Sequence, residues 1–150
     1  MSLDLQQQID EIASLLERLR KSDVGGVVVA YTPTYDGAVS GNTTYTVQVG
    51  SYVRLGPIMI AAGIVVWTAA TGTGNARITL PDTAVNTTNL DYGGSLSLSG
   101  VTFTNSTPTP ELIFNNSFFQ MRSPLTNAAG ALVQVEAAGT LIFTITYFVG

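Results

Sequence analysis

From Val27 to the C-terminus the chain is a succession of short β-rich segments cut by turn clusters, and this punctuation limits the fold more than any other feature. The clusters are Tyr35-Asp-Gly-Ala, Ser40-Gly-Asn, Thr71-Gly-Thr-Gly-Asn, Tyr92-Gly-Gly and Asn127-Ala-Ala-Gly, rich in residues that accept positive φ or bond their own backbone. The spacing predicts strands over 26–31, 44–49, 52–55, 58–68, 76–80, 95–98, 101–104, 112–115, 118–122, 131–135 and 141–148. Alternation places Tyr45, Val47 and Val49 on one face of their segment. At the C-terminal end Leu141, Phe143, Ile145, Tyr147 and Val149 alternate with Ile142, Thr144, Thr146 and Phe148. That last segment and 57–67 carry apolar residues on both faces, the pattern of strands buried on two sides, one of which would be a subunit contact. Gly63 marks a bulge or a close backbone approach within the second of them. The expected fold is mainly β: an antiparallel β-sandwich or jelly-roll head over residues 24–150.

Residues 3–21 are the exception. Leu5, Ile9, Ile12, Leu16 and Leu19 are spaced four, three, four, three, which is a coiled-coil seam with Ile9 and Leu16 at a and the others at d. Acidic residues open this stretch and Arg18, Arg20 and Lys21 close it, in accord with the helix dipole. Residues 1–23 are therefore expected to form a short amphipathic coiled-coil helix. Isoleucine at d favours three strands over two, so a homotrimer is expected. The competing expectation is that the stripe folds back on the head of its own chain.

Charge and chemistry exclude several function classes. Only 11% of residues are charged, against about 25% in ordinary globular proteins. Threonine, serine and asparagine make the outward positions polar instead. The net charge is −4, and after residue 23 the only basic residues are Arg54, Arg77 and Arg122, so no phosphate-binding patch can assemble and nucleic acid is not an expected partner. With no histidine and no cysteine, the commonest bases, nucleophiles and transition-metal ligands are missing. Asp36, Asp82, Asp91, Glu111 and Glu136 are scattered beside turns rather than paired, and no D-x-D-x-D run gathers them for calcium. Neither an enzyme nor a cofactor or metal site is expected. Thr71-Gly-Thr-Gly-Asn lacks the lysine of a phosphate loop and reads as a hairpin. The tyrosines and Trp67 are packing residues before they are a sugar-binding surface.

The N-terminal residues carry no signal-peptide pattern, and no apolar run reaches the ~20 residues that span a bilayer, so synthesis in a cytoplasm without membrane insertion is expected. The sequons at Asn42, Asn86, Asn105 and Asn115 then follow from composition alone.

Tyr45-Thr-Val-Gln-Val-Gly-Ser-Tyr-Val-Arg-Leu-Gly, preceded by Tyr31-Thr-Pro-Thr and followed by Gly72-Thr-Gly-Asn-Ala-Arg-Ile-Thr-Leu-Pro, resembles β-domains of tailed-phage virion proteins. The resemblance covers roughly residues 31–81. Such domains occur in tail-fibre tips, head fibres and capsid decoration (cement) proteins, so it implies a virion location and a trimer. Carried over residue by residue, Tyr45, Gly50, Tyr52, Arg54, Gly56 and Arg77 would be structural, with Gly50 and Gly56 as tight turns and the two arginines pairing with a loop acid or carbonyls. The function expected is a non-enzymatic, trimeric capsid decoration protein or short head fibre that binds the major capsid protein or another virion protein. The alternative is a trimeric tail-fibre or receptor-binding tip that recognises a host cell-surface glycan.

Overall fold

The structure, a computed structural model, describes residues 10, 12, 14, 26–85, 93–101, 108–125 and 128–150. Asp10, Ile12 and Ser14 are helical, and the rest of the expected seam, with the 23/24 domain boundary, lies outside the described residues. Among those residues there are ten strands: β1 (Val29–Tyr31), β2 (Tyr35–Asp36), β3 (Thr43–Leu55), β4 (Ile58–Ala70), β5 (Arg77–Thr79), β6 (Gly93–Ser99), β7 (Thr109–Leu112), β8 (Phe118–Leu125), β9 (Ala128–Leu132) and β10 (Gly139–Phe148). They form two antiparallel sheets. The first has the order β1-β3-β4-β10-β6; the second has the order β2-β5-β8-β7, with β9 also paired to β8.

One core joins the sheets. Met59, Ala61, Val65 and Trp67 of β4 and Leu141, Phe143, Ile145 and Tyr147 of β10 point inward, as period-two alternation requires. They meet Tyr35, Ile78, Leu112, Phe119 and Met121 of the second sheet. Tyr35 stacks on Trp67 with ring centroids 4.0 Å apart, and Phe119 tilts against Phe143 at 5.3 Å.

Several expected boundaries shift, each for a physical reason. The segments expected at 44–49 and 52–55 are one strand, because Gly50 pairs with Gly63 inside the ladder instead of opening a turn. Both of these glycines face inward. A Cβ on Gly63 would lie 2.8 Å from Cζ of Phe143, and one on Gly50 would lie 2.6 Å from Cε1 of Tyr31, so Gly63 marks close packing and not a bulge. The irregularity lies elsewhere: register shifts on either side of Tyr45 set Tyr45 opposite Trp67 and Val47 opposite Val66. Tyr45 thereby turns inward while Val47 and Val49 turn outward, which splits the face expected to hold all three.

Tyr35-Asp36 and Gly93-Gly94, read as turns, are strand, because partners distant in sequence supply their ladders. The expected strand at 112–115 lies earlier, at Thr109–Leu112, and residues 114–115 form the turn. Likewise the strand expected at 131–135 lies at Ala128–Leu132, where a turn had been expected. Residues 102–104 of the segment expected at 101–104 lie outside the described residues.

Candidate interaction face

The outward face of the first sheet is the most unusual surface of the molecule. Its rows are fixed by register. Val49 of β3 lies opposite Ile64 of β4, which lies opposite Ile142 of β10. The next row is Ser51, Ala62 and Thr144, and the one after that Val53, Ile60 and Thr146. Serines of β6 continue the sheet, with Ser97 beside Ile142 and Ser95 beside Thr144. The short side chains of the middle row leave a shallow groove of about 420 Å³ beside the Val49-Ile64-Ile142 ridge. No residue that β1, β3, β4, β6 or β10 turns to this side is charged.

The face is open in the single chain. Val49 is 61% exposed and Ile142 49%, although Ile142 sits on an interior strand of the sheet. The two-sided apolar pattern read from β4 and β10 therefore buries one side in the core and leaves the other in solvent.

The residues carried over from the resemblance fall on the other side of β3 and at its ends, except Arg77, which lies on β5 of the second sheet. The Tyr45 hydroxyl donates to the Tyr35 carbonyl at 2.9 Å and accepts from the Tyr35 N–H at 2.9 Å, which ties β3 to β2. Tyr52 meets Tyr31 edge to face at 6.0 Å. Gly56, with φ of 61°, begins the two-residue turn between β3 and β4, a geometry glycine supplies without strain. Arg77 lies 4.4 Å from the centroid of the Phe118 ring, at cation–π distance. Ile12, a seam residue, is 57% exposed.

Arg54 holds three partners together. Its Nε donates to the Gly56 carbonyl at 3.0 Å and its Nη2 to the Gly150 carbonyl at 2.7 Å, while Nη1 lies 3.6 Å from an oxygen of Asp82. The group is close to half exposed, so its worth is modest. Arg54→Ala is expected to lower stability by about 1 kcal/mol in a urea titration. Arg54→Lys should lose nearly as much, because an ammonium cannot reach three acceptors in different directions. Full retention by the lysine variant would show that charge alone matters.

Two more of the acids have structural partners. Asp36 Oδ1 accepts from the backbone N–H groups of Gly37 and Gly41, and Glu111 pairs with Arg122 at 2.6 Å. Among the described residues no group of three or more acids is placed to hold a metal ion, and no helix is long and apolar enough to cross a membrane. Sequence reasoning singled out the motif residues but not Val49, Ile60 and Ile142 as a joint surface. The available signal was the apolar content of both faces of β4 and β10.

No family model and no curated protein matches the chain. Among solved structures the chain is similar to the Dettilon tailspike protein, with a TM-score of 0.65 and 14% identity. The alignment covers 82% of this chain and 24% of that one. The chain thus spans about a quarter of the tailspike's length, and at this identity what the two share is the fold.

Proposed function

We propose that the chain is a non-enzymatic structural protein of a tailed-phage virion, a homotrimer whose β-sandwich head is joined to a coiled-coil helix. The observation that carries this reading is the likeness to the Dettilon tailspike across 82% of the chain, which agrees with the sequence resemblance over residues 31–81. The acids support the non-enzymatic part, since Asp36 accepts from a backbone amide and Asp82 and Glu111 each pair with an arginine.

The same likeness favours the tail, with the head as a fibre or receptor-binding tip and a host glycan as its target. Capsid decoration, as a cement or head-fibre protein against the major capsid protein, is the second reading. The charge-free sheet face supports it, because an apolar surface adds buried area wherever it is covered. Gold-labelled antibody against the protein, applied to purified particles, separates the two. Label at the tail is the expected result. Label over the shell replaces the tail with the decoration reading, and particles lacking the protein should then be less resistant to heat. Purified particles that contain none of the protein would overturn the virion assignment.

A further inference from the structure

The outer face of the first sheet is broad, free of charge and crossed by exposed aliphatic residues. β3 and β4 each run 13 residues and β10 runs 10. At about 3.3 Å per residue and about 4.8 Å between strands, five strands present roughly 700 Å². That area counts the serines and threonines with the aliphatic residues, and each partner in a specific complex contributes about 800 Å². The face is thus close to the size of one half of a stable interface.

Its composition narrows the occupant. Val49, Ile60, Ile64 and Ile142 are flanked by serines and threonines, and no charged side chain interrupts them. An interface between independently folded partners is usually only as apolar as the remaining surface, while the contact of an obligate oligomer resembles a domain core cut in half. This face has the second character. The chain's own N-terminal helix is the other available cover. Against that, Ile12, the one seam residue among those described, is 57% exposed and so is not itself lodged in the groove. Gly26 packs beside Val53 and Leu55, so the chain that leads from the helix enters at one end of the face. Copies joined through the helix would hold these faces at high effective concentration.

We infer that the outer face of the β1-β3-β4-β10-β6 sheet is the surface through which copies of this chain assemble, and that the head, not the helix, supplies most of the contact. This rests on the homotrimer reading and adds the surface that makes it. Ile142 and Val49 are the central contacts, and the Ser51-Ala62-Thr144 row receives a neighbour's ridge.

Sedimentation equilibrium of the full-length protein at micromolar concentration tests it with Ile142→Asp, Val49→Asp and, for the helix seam, Ile12→Asp. Because Val49 and Ile142 are both exposed in the single chain, each face variant should keep the β circular-dichroism spectrum and a cooperative unfolding transition. The wild type and Ile12→Asp are expected to be trimers. The face variants should dissociate, with association weakened by about 100-fold or more. Face variants that stay trimeric, while Ile12→Asp yields monomers, would overturn the inference and leave the homotrimer standing. A wild-type dimer that both face variants dissolve would support the face and overturn the trimer. A wild-type monomer would overturn both.

Discussion

Trp67→Ala is expected to lower the stability of the head by about 3–5 kcal/mol, a large share of the total for a domain of this size. Trp67, the only tryptophan in the chain, is 2% exposed and stacks on Tyr35 with an interplanar angle of 20°. Its indole N–H donates to the Glu136 carbonyl at 2.9 Å, and the Glu136 N–H donates to the Tyr35 hydroxyl at 2.8 Å. One side chain therefore connects β4, β2 and the segment before β10. Truncation opens a cavity between the sheets and strands a half-buried carbonyl, two losses that add. The ring's far edge also fills the space above Gly139, where a Cβ would lie 2.8 Å from Cζ2. Trp67→Phe keeps much of the volume and loses only the donor, so about 1–2 kcal/mol is expected. Because both variants remove the native fluorophore, urea unfolding has to be followed by far-UV circular dichroism. A loss below about 1 kcal/mol in the alanine variant would mean that the sheets are held together elsewhere.

The contrast between what the sequence reveals of this fold and what it conceals follows from the range of the interactions involved. The strands β4 and β10 and their apolar content on both faces were legible because alternation is local. So was the turn at Gly56, whose φ only glycine adopts cheaply. β2 was not legible: Tyr35-Asp-Gly has turn chemistry, and its two paired residues are set by Ile78 and Arg77, more than 40 positions away. The bulge at Tyr45 was hidden for the same reason, since nothing in Thr44-Tyr-Thr-Val signals a change of register that the partner strand imposes. Apolar residues on both faces of β10 identified a strand that wants two neighbours. They could not say that only the inner face is covered within the described chain, because that depends on which distant elements pack across the sheet rather than on the strand itself. Arg54 was assigned a structural role through the resemblance, yet its partners at Asp82 and Gly150 are separated from it by long stretches of chain.

Alkaline pH should unfold the head, because three of its tyrosines are held where a phenolate is costly. Burial pushes the Tyr35 hydroxyl from its ordinary 10.0 up to about 12, against the opposing effect of the Glu136 N–H that bonds it. Burial raises Tyr147 further, with Asp82 adding repulsion, and it raises Tyr31 as well, whose hydroxyl is buried without a hydrogen-bond partner among the described residues. The folded values therefore lie above the unfolded one. Below pH 10 both states keep these protons and the contribution is fully present. Above it the unfolded chain releases protons that the native head retains, so stability falls as pH rises, until the folded values are reached. Each tyrosine contributes at most about 1.4 kcal/mol per pH unit, so with partial solvation the three together should cost about 2–3 kcal/mol per unit. Two units would then remove about 5 kcal/mol, comparable to the whole stability of a small domain. Neither histidine nor cysteine is present to bend the curve at neutral pH. Urea unfolding repeated from neutral to strongly alkaline pH should show a level curve that breaks near pH 10, and tyrosinate absorbance should rise in the same cooperative step as the loss of β signal. Tyr147→Phe removes one titrating group and should lower the alkaline slope by about a third while leaving the break in place. Tyrosinate that grows gradually, with the unfolding midpoint unchanged up to pH 12, would show that these hydroxyls reach solvent in the folded head.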